Sequence, residues 1–223
     1  RLCAERIAAE LRSRPRARIA LAGGGSPRPV YETLARSGLD PARLEIFLSD
    51  ERMVPGHSSA SNQKLIVDAL VSGFVVPPRS LNKVETELEP DEAARRYGLS
   101  LGSAGLDLVL LGMGSDGHVA SVFPGGPGLD PASPAAVATQ APKPPHSRVS
   151  LSLPYLNRAD VVLLFVVGSV KAPTLARVLD EVAREQPSLP AAHLAQRGAL
   201  HWFIDAEAAA CLDFGLFRKG HAA

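Results

Sequence analysis

The chain has 223 residues, of which 46% are hydrophobic, so it can bury the core of one large α/β domain, which we expect to span residues 1–223. Its 24 Lys and Arg residues nearly balance 23 Asp and Glu residues, and a net charge of +1 argues against binding to nucleic acid or to an anionic membrane. The two cysteines, Cys3 and Cys211, form neither a metal-ligand spacing nor a disulfide framework, so we expect two buried thiols in a reducing cytoplasm.

The first sixteen residues predict an amphipathic helix. Cys3, Ile7 and Leu11 recur at helical spacing between charged residues, whereas a signal peptide would need an apolar centre. The chain does not begin with Met, which suggests a trimmed sequence.

Apolar runs rich in β-branched residues then alternate with segments of helical periodicity. The runs predict buried strands at RIALA (18–22), LEIFLS (44–49), LDLVLL (106–111), VVLLFVV (161–167) and LHWFI (200–204). Helices are predicted at 30–36, 62–71 and 91–99 and after Lys171, where Leu175, Val178, Leu179 and Val182 form one apolar stripe.

This alternation predicts an α/β fold with a mostly parallel, Rossmann-like sheet and helices on both faces. The longest apolar run, at 161–167, is far shorter than the roughly 20 residues that cross a bilayer. The Pro-rich segment 125–147 is expected to form long loops around a short strand.

Ligands of open α/β sheets bind beyond the carboxyl ends of strands, so the residues after each run are the candidate site. After the first run, Gly24, Gly25 and Ser26 offer backbone N–H groups and a hydroxyl near a helix start, which favours an anion such as phosphate. The loop lacks the spacing of dinucleotide-binding and P-loop motifs, so an ordinary turn is the alternative.

Three basic residues lie close to other strand ends. Arg52 follows the second run in the sequence Asp50-Glu51-Arg52, and its guanidinium suits phosphate or carboxylate, although such a triplet also occurs in solvated turns. Lys171 begins a helix, where a cation is unfavourable unless an anion lies beside it. Arg148 can reach the same pocket or lie on the surface.

The segment GMGSDGH, residues 112–118, puts ionisable groups among glycines after a core strand. An imidazole titrates near neutral pH, so His118 can act as a general base, with Asp116 holding its tautomer. The alternative is a strand-to-helix turn in which Asp116 only caps the helix. A metal site formed by Asp50, His57, Asp116 and His118 is a weaker hypothesis, because no pair has a diagnostic spacing, and no metal is predicted.

These motifs together resemble the 6-phosphogluconolactonases, a branch of the superfamily that includes the glucosamine-6-phosphate deaminases. The resemblance covers nearly the whole chain: GGGSPRPVYETLA, SDERMVPGHSSASN, LVLLGMGSDGHVASVFPG, RVSLSLPYLNRADVVLLFVVGSVKA, and LPAAHL with LHWFID. It departs in one place, since the family often has Ser-Thr or Ser-Ser before the proline, where this chain has Gly25-Ser26.

The resemblance implies a deaminase-like fold and a cytoplasmic, cofactor-free enzyme of the pentose phosphate pathway that hydrolyses 6-phosphoglucono-δ-lactone. It implies that His118 is the base with Asp116 as its neighbour, and that Arg52 and Lys171 bind phosphate. Asp50 is expected in the same pocket, and whether Asp116 or Asp50 orients His118 stays open. The expected partner is the sugar-phosphate lactone alone, and the expected assembly is a monomer or a weak homo-oligomer.

Two alternatives remain. A deaminase carries a glutamate five residues after the histidine, where this chain has Phe123, which cannot transfer a proton. A non-catalytic sugar-phosphate sensor would keep Arg52 and Lys171 but would not need His118. The lactonase is therefore the favoured hypothesis.

Overall fold

A computed structural model of the chain describes residues 1–194 and 199–212, in which helices and strands alternate along most of the sequence. The α-helices are Leu2–Arg12 (α1), Arg28–Ala35 (α2), Asn62–Ala69 (α3), Pro90–Leu101 (α4), Leu153–Leu156 (α5) and Ala172–Ala183 (α6). The strands are Ala17–Leu21 (β1), Leu44–Leu48 (β2), Asp50–Arg52 (β3), Ser80–Leu81 (β4), Leu108–Gly112 (β5), Ala136–Gln140 (β6), Ser147–Leu151 (β7), Val161–Val166 (β8) and Ala199–Ile204 (β9).

Six strands form a parallel sheet in the order β4-β2-β1-β5-β8-β9. Consecutive residues of β5, from Leu108 to Leu111, are all buried, so both faces of the sheet are covered. The predicted parallel α/β sheet is confirmed. The strand order reverses at β1, because β2 and β4 lie on one side and β5, β8 and β9 on the other. A crevice therefore opens between the loops that follow β1 and β5.

A second, antiparallel sheet in the order β3-β7-β6 was not predicted. The chain enters it at Ser49, whose N–H donates to the Leu21 carbonyl of β1 at 2.9 Å and whose carbonyl accepts from the Leu151 N–H of β7 at 2.8 Å. Asp50, Glu51 and Arg52 thus form a strand beside the carboxyl end of β1 and not a solvated turn. This small sheet brings two of the predicted loops to one place.

Several sequence-based expectations need correction. The described residues between β5 and β6 contain no helix, so Asp116 is not a helix cap. Helix α3 ends at Ala69, two residues before its predicted end. Cys3 is buried as expected, but Cys211, in a short 3-10 helix after β9, is exposed.

Within the described ranges, none of the helices combines the length and the hydrophobicity that crossing a bilayer would require.

Glu51 holds the start of α3 in place from a fully buried position. Its carboxylate accepts hydrogen bonds from the N–H groups of Arg52, Asn62 and Gln63, each at 2.7 Å, and from the Ser61 hydroxyl at 3.1 Å. Burial raises the pKa of Glu51, and the three backbone N–H donors oppose that shift. A carboxylate at a helix N-terminus satisfies donors that would otherwise have no partner.

We predict that Glu51→Gln lowers the free energy of unfolding by about 2 kcal/mol or more, because its amide NH₂ would face buried N–H donors. Urea denaturation measures the loss. The matched control is Asp68→Asn, which makes the same change at an exposed position of α3. Equal stability of the two variants would contradict the assigned role of Glu51.

Candidate active site

A cleft of about 200 Å³ lies over the carboxyl ends of β1 and β5 and is lined by residues of both sheets. Seven of the nine predicted site residues line it: Gly24, Ser26, Asp50, Arg52, His118, Arg148 and Lys171. The other two lie close by. Gly25 lines an adjoining cleft that shares Gly24 and Arg52 with the first, and Asp116 forms a hydrogen bond with His118. His57, which only the weaker metal-site hypothesis included, does not line the cleft.

The glycine-rich loop after β1 packs tightly on one side and opens on the other. A side chain at Gly23 would overlap the carboxamide of Asn62, so only glycine fits there. Gly24 has a φ of +86°, which glycine adopts without strain. Pro27 is the N-cap residue of α2, so Ser26 is the last residue of the loop before the helix begins. The loop thus presents Gly24 and Ser26 to the cleft.

Residues 113–123, which we call the histidine loop, hold His118 against Asp116. Nδ1 of His118 lies 2.5 Å from Oδ1 of Asp116, and the same oxygen accepts the His118 backbone N–H at 3.2 Å. An ionised carboxylate accepts a hydrogen bond from Nδ1–H, so Nε2 is the unprotonated nitrogen of the neutral ring. Burial raises the pKa of Asp116, but the hydrogen bond and charge of His118 outweigh it and lower this pKa to about 2.

Two further residues shape the histidine loop. Gly114 leaves the space that the pair occupies, because a Cβ there would overlap Nδ1 of His118 and Oδ1 of Asp116. Phe123 packs on the imidazole, with ring centroids 4.6 Å apart and an interplanar angle of 52°. The position that would hold a carboxylate in a deaminase therefore supplies an apolar face to His118.

Three cations, Arg52, Arg148 and Lys171, line the cleft, and we refer to them as the cation cluster. Arg52 and Arg148 are direct cross-strand partners on β3 and β7. Burial lowers the pKa of Arg148, and the charge of Arg52 lowers it further. Burial also lowers the pKa of Lys171, which lies at the N-cap of α6. Like charges directly opposite each other on a sheet are unfavourable, so this arrangement favours an anion between them.

The positive charges of the cation cluster are poorly neutralised by nearby carboxylates. Among the described residues its one ion pair is the 4.0 Å contact of Arg148 Nη1 with Asp50 Oδ2. Arg52 Nη1 donates to the Ala60 carbonyl at 2.7 Å, while its Nε is buried without a partner. Arg148 has only 11% of its side chain exposed, so it is a pocket residue and not a surface arginine.

Asp50 is buried beneath the cleft and does not orient His118. Its carboxylate accepts from the Ser49 hydroxyl at 3.0 Å and from the Ser121 hydroxyl at 2.7 Å. Of the two acids that the sequence placed beside the base, Asp116 makes the contact. Within the described residues no three His, Cys, Asp or Glu side chains converge as a metal site would require, so the Asp50, His57, Asp116 and His118 grouping does not form.

Three residues that support the site, Gly114, Asn62 and Ser121, were not predicted from the sequence as site residues. Each acts through a neighbour: Gly114 leaves room for His118, Asn62 donates from its side chain to the Asp50 carbonyl at 2.9 Å, and Ser121 donates to the Asp50 carboxylate. Only Gly114 carried a signal, as a glycine two residues before Asp116. The other two depend on contacts between distant segments.

The family model described as glucosamine-6-phosphate isomerases/6-phosphogluconolactonase matches residues 1–202. The chain belongs to this family. A 6-phosphogluconolactonase of Synechocystis is 32% identical over 91% of this chain and 88% of its own length. A rabbit relative named GDH/6PGL endoplasmic bifunctional protein is 36% identical over 85% of this chain, which spans only 25% of that protein.

Solved structures of the family share the fold. A crystal structure of 6-phosphogluconolactonase from Thermotoga maritima has a TM-score of 0.80 and 31% identity, and the match covers 91% of this chain and 93% of that one. A monomeric glucosamine-6-phosphate deaminase has a TM-score of 0.78 at 22% identity, covering 95% and 94%. The fold is thus common to both activities of the family, and the site must decide between them.

We predict that Gly114→Ala lowers kcat of the activity proposed below by about tenfold or more, because the added methyl separates His118 from Asp116. Gly56→Ala is the matched control, since its Cβ would meet open space. Steady-state kinetics on folded protein measures both variants. Equal turnover by the two would show that the close pairing is dispensable.

Proposed function

We propose that this chain hydrolyses 6-phosphoglucono-δ-lactone to 6-phosphogluconate. One observation carries the proposal: a carboxylate-paired imidazole, His118, lines the same small cleft as three poorly compensated cations. The imidazole suits proton abstraction from water, and the cations suit a phosphate at the other end of the substrate. Relatives of similar length that bear the name 6-phosphogluconolactonase support the same reaction.

The proposed mechanism begins with the phosphate. Lys171, Arg148 and Arg52 bind it together with the N–H groups and hydroxyl of the Gly24–Ser26 loop, and this contact places the lactone carbonyl near His118. Nε2 of His118 removes a proton from a water molecule as the water oxygen attacks C1. The bond from C1 to the ring oxygen then breaks, and the imidazolium returns its proton to that oxygen as it leaves.

Asp116 has a defined part in this mechanism. Its pKa of about 2 keeps it ionised at any working pH, so it accepts the hydrogen bond from Nδ1–H and its negative charge stabilises the imidazolium while that ion exists. Asp50 has a supporting part, since it holds Ser121 of the histidine loop and faces Arg148 across 4.0 Å.

The deaminase is the second candidate, and Phe123 argues against it. A ring-opening deaminase needs an acid or base where this chain packs a phenyl ring on the imidazole. A non-catalytic sensor would have no use for the close contact between Asp116 and His118.

The proposal extends to the setting of the enzyme. We propose a single domain over residues 1–223 that works in the cytoplasm without a cofactor or metal, as a monomer or a weak homo-oligomer. Support for one domain comes from a core cluster that runs from Cys3 in α1 to Ala208 near β9. Support for a reducing compartment comes from the two free thiols.

The direct experiment follows acid release from freshly generated 6-phosphoglucono-δ-lactone, corrected for spontaneous hydrolysis. We expect saturable acceleration that persists after chelator treatment and dialysis. Release no faster than the uncatalysed rate would contradict the proposed function, and activity restored only by added metal would contradict the metal-free mechanism.

The cation cluster predicts a separation of binding from chemistry. Loss of a charge-assisted phosphate contact weakens binding, so Lys171→Ala should raise KM by about tenfold or more. Lys83→Ala is the control, because Lys83 is exposed and lies outside the cleft. An unchanged KM in Lys171→Ala would remove Lys171 from the phosphate site.

A further prediction concerns the competing activity. Incubation of the wild-type protein with glucosamine 6-phosphate should release no ammonia above background, because Phe123 cannot transfer a proton. Ammonia measured at a rate close to that of lactone hydrolysis would reverse the ranking of the two activities.

A further inference from the structure

The elements that carry the cation cluster also make the side-chain hydrogen bonds that hold the histidine loop. Asp50 of β3 accepts the Ser121 hydroxyl at 2.7 Å, and the Ser150 hydroxyl of β7 accepts the Ser121 N–H at 3.0 Å. These strands carry Arg52 and Arg148. They fix the far end of the loop, three residues beyond His118.

The near end of the loop is held from α6. The Thr174 hydroxyl, in the first turn of α6, donates to the Ser115 carbonyl at 2.6 Å. Ser115 immediately precedes Asp116, and Lys171 is the N-cap residue of the same helix. One hydrogen bond therefore joins the rigid element that bears a phosphate-binding cation to the residue next to the acid that orients the base.

We propose that Thr174 is a positioning residue, which holds Asp116 and His118 at a fixed place relative to the phosphate bound by Lys171. This inference rests on the proposed lactone hydrolysis. Phosphate contacts place the substrate with respect to α6, and the Thr174 bond places the base with respect to α6. Small errors in the distance between base and reacting carbon are costly in rate, so the bond acts on kcat and not on phosphate affinity.

The test compares Thr174→Val, which keeps the shape of the side chain but removes the hydroxyl, with Thr174→Ser, which keeps the hydroxyl. We expect Thr174→Val to lower kcat by about fivefold to tenfold with KM changed less than about twofold, the scale of one hydrogen bond. Thr174→Ser should return kcat to within about twofold of wild type. Thr33→Val is the matched control, because its hydroxyl bonds to Pro29 within α2, away from the loop.

A double variant separates positioning from a general structural role. If Thr174 acts by relating the base to the phosphate on Lys171, Thr174→Val should cost less than about twofold in kcat when Lys171→Ala is already present. A fivefold to tenfold kcat loss from Thr174→Val that persists unchanged in the Lys171→Ala background would overturn the proposal, as would wild-type kcat in Thr174→Val or a loss that Thr174→Ser does not restore. All rates are normalised to folded protein. Absence of lactone hydrolysis in the wild type would contradict the proposed function instead.

Discussion

The hydrogen bond between Nδ1 of His118 and Oδ1 of Asp116 determines what the rest of the site can do. It assigns the proton of the neutral ring to Nδ1, leaves Nε2 to accept a proton, and holds the imidazole in one orientation. The bond exists because Gly114 has no side chain, since any Cβ there would occupy the same space. The phenyl ring of Phe123 packs on the imidazole ring of His118 and restricts its rotation. A single glycine thus sets the geometry of the proposed base.

The second constraint is electrostatic. Arg52 and Arg148 face each other across two strands, and Lys171 lies at the start of a helix, where a cation is unfavourable by itself. Both costs belong to the protein without its ligand, and a phosphate bound among the three cations relieves both. The topology brings the cations together. The chain leaves the parallel sheet at Ser49, and β3 then pairs with β7 beside the crevice between β1 and β5. Groups suited to binding an anion and a group suited to proton abstraction therefore line one cleft.

Much of this could be predicted from the sequence. Buried apolar runs predicted five of the six strands of the parallel sheet, all but the two-residue β4, and helical stripes predicted α1 to α4 and α6, because local periodicity depends on which face is buried. The small sheet of β3, β7 and β6 escaped prediction, because pairing of Arg52 with Arg148 joins segments almost a hundred residues apart and has no local signature. Glycines and ionisable residues after strands located the cleft. Only the interatomic distances in the structure identify Asp116, and not Asp50, as the partner of the imidazole. The roles of Asn62 and Ser121 likewise follow only from their hydrogen bonds to Asp50.

The pH dependence of kcat/KM for 6-phosphoglucono-δ-lactone, measured over about pH 5 to 9 in the wild type and in His118→Asn, shows whether His118 is the base of this cleft. A general base must be unprotonated to accept the proton of the attacking water, so wild-type kcat/KM should fall at acid pH. His118→Asn should lower kcat by about 10²-fold, lose that acid limb and still bind 6-phosphogluconate. An unaltered pH profile and near-normal turnover in His118→Asn would show that His118 is not the base.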